Sequence, residues 1–182
     1  LISLMAQRVG PGDAVFTTPF TFIATGEVIQ LLGATPVFVD IEPDTFNIDT
    51  AQLETAIEQV KAKGELNPRG IIPVDIFGQT ADYDEIEAIA AKHNLFVLQD
   101  AAQSFGASYK GKRACSQGDV AATSFFPAKP LGAYGDGGMI FTDSDELHEK
   151  FTSIRIHGKG SNKYDNVRIG VNGRMDTMQA AV

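Results

Sequence analysis

Two short stretches of the chain combine residue types that could act on a small molecule. The first is Leu95-Phe-Val-Leu-Gln-Asp100-Ala-Ala-Gln103-Ser-Phe-Gly106, in which an acid ends an apolar run. A carboxylate at the carboxyl end of a buried strand stands where open α/β sheets place functional groups, with its charge at the ligand crevice. The competing reading of Asp100 is a helix N-cap or a turn carboxylate. The second stretch is Thr123-Ser124-Phe-Phe-Pro-Ala-Lys129-Pro-Leu-Gly132-Ala-Tyr134-Gly-Asp-Gly-Gly138. Here Lys129 follows a strand-like run, is flanked by Phe125, Phe126, Pro127 and Pro130, and precedes glycines that let backbone approach a ligand. Apolar surroundings penalise an ammonium and favour the free amine, a nucleophile for a carbonyl carbon. Most lysines are simply solvated, and the aromatic and proline neighbours are what set this one apart.

Other chemistries fail on residue order or supply. The glycines of 132–138 do not fit GxGxxG, and Lys129 precedes the glycine run rather than ending it, so neither a dinucleotide fingerprint nor a Walker A loop is present. One cysteine, Cys115, excludes an intrachain disulfide. His93, His148 and His157 are too dispersed for a familiar metal-ligand spacing, so no metal is expected. Across 182 residues the net charge is −8, a field that repels nucleic acid and anionic membranes. No apolar run reaches the ~20 residues that span a bilayer, and the expected setting is cytoplasmic.

The elements that must position these residues are visible in the patterning. Apolar runs at Ala14 to Thr17, Pro36 to Val39, Gly70 to Val74, Leu95 to Gln99, Val120 to Phe125 and Met139 to Thr142 read as strands buried on both faces. Helical patterns intervene: Thr21 to Leu32 ending at Gly33, a helix capped by Asp49 that runs to about Lys61, and Asp84 to His93 capped by Asp82. Leu1 to Val9 reads as the last turns of a helix, Glu146 to Ile154 as another, and the residues from Asp176 as a helix just starting. Ser104 to Ser116 reads as a small hairpin excursion, and Lys159 to Gly170 as a polar, mobile loop. Alternating strands and helices predict a three-layer α/β/α domain with a mostly parallel sheet.

Six segments together resemble one known family. They are Thr18-Pro-Phe-Thr-Phe-Ile-Ala-Thr25, Leu32-Gly-Ala-Thr-Pro-Val-Phe-Val-Asp40, Pro43-Asp-Thr-Phe-Asn-Ile-Asp49, Gln99-Asp-Ala-Ala-Gln-Ser-Phe-Gly-Ala107, Ser124-Phe-Phe-Pro-Ala-Lys-Pro-Leu-Gly132 and Gly170-Val-Asn-Gly-Arg-Met-Asp-Thr177. In order and spacing they resemble the DegT/DnrJ/EryC1/StrS family of pyridoxal-phosphate-dependent sugar aminotransferases, of fold type I. The resemblance spans essentially the whole chain and implies that residues 1–182 are most of the cofactor-binding large domain. A glycine-threonine phosphate-binding segment before Leu1 and a small carboxy-terminal domain would lie outside it.

What the resemblance implies can be stated residue by residue. Lys129 forms the Schiff base with pyridoxal phosphate and moves the proton, and Asp100 pairs with the pyridine nitrogen. Gln103 hydrogen-bonds the phenolic oxygen, Phe22 lies against the ring, and Ser124 holds the phosphate. Asn172 reaches the phosphate of a neighbouring subunit's cofactor, which implies a homodimer with shared sites. Arg174 and Tyr134 are the expected substrate contacts, with Arg155, His157 and Lys159 as further cations for a uronate or diphosphate. Taken singly, Phe22 reads as core, Gln103 and Ser124 as turn or strand-end residues, Asn172-Gly173 as a turn, and the cations as a solvated loop. Asp75 falls where relatives often carry His and receives no cofactor role. The implied reaction moves an amino group, from L-glutamate, to a keto group of a nucleotide-linked sugar, and the wording of the motifs points to UDP-2-acetamido-3-oxo-glucuronate. A sugar dehydratase relative, which would carry His in place of Lys129, and a non-catalytic sugar-sensing relative or truncated remnant are the alternatives.

Overall fold

The computed structural model describes residues 1–162 and 164–182. Five of its six main strands are parallel: β1 (Asp13–Thr17), β2 (Thr35–Phe38), β3 (Asn67–Ile72), β4 (Phe96–Asp100) and β7 (Val120–Ser124). The sixth, β8 (Gly138–Phe141), is antiparallel to β7, and the sheet order is β2-β1-β3-β4-β7-β8. The short strands β5 (Ser108–Tyr109) and β6 (Lys112–Arg113) form the expected hairpin. Its turn residues Lys110 and Gly111 have φ of 47° and 86°, the paired positive values that the natural twist of a two-residue hairpin demands.

Period-two alternation in the central strands explains the three layers. Ala14 and Phe16 of β1, Ile71 of β3 and Val97 of β4 face one core with Leu53 and Ile57 of α3 (Thr50–Lys63) and Ile86 of α4 (Tyr83–His93). The alternate residues Val15, Ile72 and Leu98 face a second core with Leu4 of α1 (Ile2–Ala6), Ile29 of α2 (Ala24–Leu31) and Phe151 and Ile154 of α5 (Asp145–Ile154). Each fully buried aliphatic side chain contributes roughly 1.5–3 kcal/mol of transfer free energy, so both faces of the central strands drive folding. The side chains of Asp49, Asp82 and Ser144 accept from the amides of Gln52, Glu85 and Leu147, capping α3, α4 and α5.

Three expectations need correction. The edge strands β2 and β8 are not buried on both faces; each has two exposed and two partly buried residues, because an edge has a neighbour on one side only. Helix α2 starts at Ala24 rather than Thr21, residues 21–23 being irregular and Ile23, at the N-cap, offering no side-chain cap. The segment from Lys159 to Gly170 is tied down. The Asn166 side chain donates to the His157 carbonyl at 2.8 Å, the Val167 amide to the Gly158 carbonyl at 2.9 Å, and the Gly160 amide to the Asp165 carbonyl at 2.7 Å. Lys163 in that segment lies outside the described residues. Helix α6 (Thr177–Ala180) is a single turn. No helix among the described residues is long and apolar enough to cross a membrane.

Candidate active site

Because β1, β3, β4 and β7 run parallel, their carboxyl ends share one edge of the sheet, and the chemistry-bearing residues collect there. Asp100 is the last residue of β4 and pairs in register with Ala122 of β7, two residues before Ser124. The Thr25 hydroxyl donates to Asp100 Oδ2 at 2.8 Å, and the Ala102 amide to Oδ1 at 3.2 Å. Thr25 is in turn 2.9 Å from the Thr21 hydroxyl, so the entry to α2, with Phe22 in it, is fastened to the strand-end acid. Burial pushes the Asp100 carboxyl above its ordinary range; the Thr25 and Ala102 bonds and the positive charge of Lys129 act in the opposite direction. A desolvated carboxylate whose hydrogen-bond donors are both neutral leaves room for a cationic ligand atom.

Lys129 stands in a compact turn leaving β7. Its amide donates to the Phe126 carbonyl at 2.8 Å, and the Ala133 amide closes the loop onto the Phe125 carbonyl at 2.8 Å. Gly132 is required here, since a Cβ at that position would lie 2.5 Å from the Pro127 carbonyl oxygen. The expected apolar enclosure is only partial in this chain: Phe125 is buried, but Phe126, Pro127 and Pro130 are exposed and Lys129 is half-buried. The glycines after Lys129 do not hold a space open for a ligand either. Gly132 packs on its own loop, Gly135 against Gln179 and Gly137 against Met175.

Ser124 ends β7, its hydroxyl accepting from the Phe126 amide at 3.2 Å. Gln103 is exposed on the turn after Asp100. Phe22 is 71% exposed, so the single-residue reading of it as core is wrong; its carbonyl accepts from the Thr25 amide. Phe22, Asp100, Gln103, Ser124 and Lys129 thus stand on segments that leave or flank one sheet edge. Asn172 and Arg174 pair with each other, Arg174 Nε donating to Asn172 Oδ1 at 2.9 Å, and Asn172 bridges to Ile156. Tyr134 is 85% exposed, with its amide bonded to Gln179 of α6. Arg155, His157 and Lys159 are exposed around the turn that follows α5.

Sequence reasoning missed Thr25, whose signal was a hydroxyl in the first turn of a helix that follows a parallel strand. It also missed a surface trio, Phe20, Phe46 and Phe77, whose ring centroids are 5.4 to 5.8 Å apart. A groove of about 910 Å³ lies beside β8 and α5 and includes none of Asp100, Gln103, Ser124 or Lys129. Among the described residues, Glu54, Glu58 and His93 bring ligand atoms within 4.8 Å of one another. Lys92 already pairs with Glu54, however, and Lys61 donates to His93 Nδ1, which leaves the ring proton on Nε2 and that nitrogen unable to ligate.

Comparison with known proteins completes the assignment. The family model described as the DegT/DnrJ/EryC1/StrS aminotransferase family matches residues 1–182. The chain is 54% identical over 178 residues to the UDP-2-acetamido-2-deoxy-3-oxo-D-glucuronate aminotransferase of Pseudomonas aeruginosa, covering 98% of this chain and 47% of that protein. Among solved structures, a DegT DnrJ EryC1 StrS aminotransferase from Brucella abortus superposes with a TM-score of 0.99 at 53% identity, over 100% of this chain and 48% of that one. NtdA from Bacillus subtilis, solved with bound cofactor PMP, superposes with a TM-score of 0.88 at 36% identity, over 99% of this chain and 39% of that one. The chain therefore spans about half the length of the relatives it matches, and pyridoxal phosphate is the cofactor that they indicate. The family model matches the whole of residues 1–182 and the three-layer fold superposes on a solved member, so the chain belongs to the DegT/DnrJ/EryC1/StrS aminotransferase family.

Proposed function

We propose that the full-length protein is a pyridoxal-phosphate-dependent aminotransferase that moves an amino group from L-glutamate to a keto group of a nucleotide-linked sugar. The observation that carries this reading is the placement of a desolvated strand-end carboxylate, Asp100 of β4, beside β7, the strand from which the Lys129 turn leaves at the same end of the sheet. That donor set fits the cofactor: Asp100 offers an anion to a protonated ring nitrogen, and Lys129 an amine to an aldehyde carbon. When bound, pyridoxal phosphate supplies the electron sink for charge developing at the substrate carbon.

Each residue then has a task. Asp100 keeps the ring nitrogen protonated through its carboxylate oxygens. Lys129 Nζ is the amine that would hold the cofactor's aldehyde end and, when free, would carry the proton to and from the substrate carbon. Ser124 and the turn that follows it hold the phosphate, Gln103 the phenolic oxygen, and Phe22 a ring face. Residues 1–182 form most of the large domain. The active unit is a cytoplasmic homodimer in which Asn172 serves the neighbouring site; the exposed aromatic trio supports a further partner surface on this chain.

The substrate is a UDP-linked 3-keto glucuronate bearing a 2-acetamido group, with Arg174 and Tyr134 among its contacts. The similarity to the Pseudomonas aeruginosa relative supports this choice. The test is to incubate the full-length protein and pyridoxal phosphate with L-glutamate and a panel of UDP- and dTDP-ketosugars, following 2-oxoglutarate. Release of 2-oxoglutarate with the UDP-linked 3-keto uronate is expected. No release with any ketosugar contradicts the function, and release with another sugar alone contradicts the substrate.

A further inference from the structure

Asp75 is a fully buried carboxylate that none of these tasks uses. It follows β3 where the chain runs beside the end of β4: the Asp100 amide donates to the Pro73 carbonyl at 2.9 Å, and the Asp75 amide to the Asp100 carbonyl at 3.1 Å. Its side chain accepts four hydrogen bonds. Oδ2 receives Gln99 Nε2 at 2.7 Å and the Ser104 hydroxyl at 2.7 Å. Oδ1 receives the Tyr83 hydroxyl at 3.0 Å and the Ala81 amide at 3.1 Å. Gln99 is oriented from its other end as well, its Oε1 accepting the amides of Cys115 at 3.0 Å and Gln117 at 3.3 Å.

The two partners of Oδ2 are placed tellingly in the chain. Gln99 immediately precedes Asp100, and Ser104 immediately follows Gln103. Successive side chains of a strand point to opposite faces, so holding Gln99 on one face sets where Asp100 stands on the other. We infer that Asp75 is a positioning residue, whose Oδ2 clamps Gln99 and Ser104 and so holds Asp100 and Gln103 at the spacing a pyridine nitrogen and its phenolic oxygen require. The inference rests on the cofactor roles proposed above.

The site demands a carboxylate specifically. Asn has the same shape, but its Nδ2 must take the place of one oxygen. The Ser104 and Tyr83 hydroxyls can turn to accept from it, whereas Gln99 Nε2 and the Ala81 amide are donors only. Gln99 cannot flip without turning its Nε2 against the amides of Cys115 and Gln117. Whichever oxygen is replaced, a buried donor meets a donor.

The test uses the full-length protein loaded with pyridoxal phosphate and reads three quantities: the visible absorbance of the bound cofactor, its dissociation constant and the melting temperature. Asp75→Asn and Ser104→Ala are expected to weaken cofactor binding roughly tenfold and to shift the absorbance, the size of effect that misplacing one charged hydrogen bond produces. Tyr83→Phe removes a bond to the same carboxylate from the α4 side. It is expected to lower the melting temperature as much as Ser104→Ala while leaving absorbance and affinity unchanged. If Ser104→Ala and Tyr83→Phe alter the cofactor readouts equally, or neither does, Asp75 is merely structural and the inference falls; this pair decides even if Asp75→Asn does not fold. Asp100→Asn tests the reading beneath it: an unchanged cofactor spectrum in that variant overturns the functional assignment and the inference with it.

Discussion

The Thr25 hydroxyl donates to the Asp100 carboxylate at 2.8 Å, tying the first turn of α2 to the last residue of β4 across 75 positions of sequence. Removing it leaves Oδ2 without its side-chain donor while the Ala102 amide still holds Oδ1. Thr25→Val should therefore weaken pyridoxal phosphate binding or slow turnover by about 10- to 100-fold, the span of a hydrogen bond to a charged group, and Thr25→Ser should restore most of the loss. Titration of the cofactor against both variants checks this. Equal behaviour of Val and Ser would mean that the hydroxyl does nothing for Asp100.

That contact also marks how far the sequence can be read. The central strands were legible because Ala14, Phe16, Ile71 and Val97 alternate with Val15, Ile72 and Leu98 to feed two cores, and the caps at Asp49 and Asp82 because a cap is a local hydrogen bond. Asp100 and Lys129 stood out because their charges interrupt apolar surroundings. The bond from Thr25 and the Gln99 and Ser104 donors on Asp75 were not legible, since each joins residues that only the strand order brings together. The enclosure of Lys129 was overstated for a related reason: Phe126, Pro127 and Pro130 are apolar by type, yet exposed on this half-length chain. The exposure of Phe22 was equally hidden, because an aromatic residue before a helix carries no local sign of whether anything covers it.

A prediction about pH follows from the burial of Asp100. Its carboxyl lies above the ordinary range, so the folded chain holds that proton more tightly than the unfolded one. The resulting stabilisation is complete below the unfolded carboxylate value near pH 4 and is lost as pH rises through the folded value. Asp75 is raised by burial with the same sign. In the cofactor-free protein, Asp100→Asn should raise the melting temperature at pH 8 by about 2 °C or more, what ~1 kcal/mol gives in a large domain, and lose the advantage near pH 4. Melting curves at the two pH values decide, and a variant that melts no higher than wild type at pH 8 contradicts the claim.

Gly132 is expected to be irreplaceable for the lysine turn. A methyl group there would sit 2.5 Å from the Pro127 carbonyl oxygen, a backbone atom that cannot rotate away. Gly132→Ala should cost about 1–3 kcal/mol of stability or move Lys129 enough to suppress activity, the usual range for overpacking. Chemical denaturation together with an activity assay would reveal either effect. A variant indistinguishable from wild type in both would show that the turn is not held as described.

The proposed homodimer with shared sites makes a quantitative forecast. Lys129→Ala and Asn172→Ala variants should each be inactive alone. If Asn172 acts on the neighbouring site, dimers mixed by dissociation and reassociation contain one intact site in each heterodimer, and activity should recover to about a quarter of wild type. No recovery after verified subunit exchange would mean that Asn172 serves its own protomer or no site at all.

The most direct measurement is the covalent address of the cofactor. The full-length protein is loaded with pyridoxal phosphate, reduced with borohydride, digested and mapped by mass spectrometry. The cofactor is expected on the peptide containing Lys129, with Lys129→Ala unlabelled and devoid of transaminase activity. Reduction that attaches the cofactor to another lysine, or attaches none, would contradict the assignment of Lys129 and with it the proposed aminotransferase.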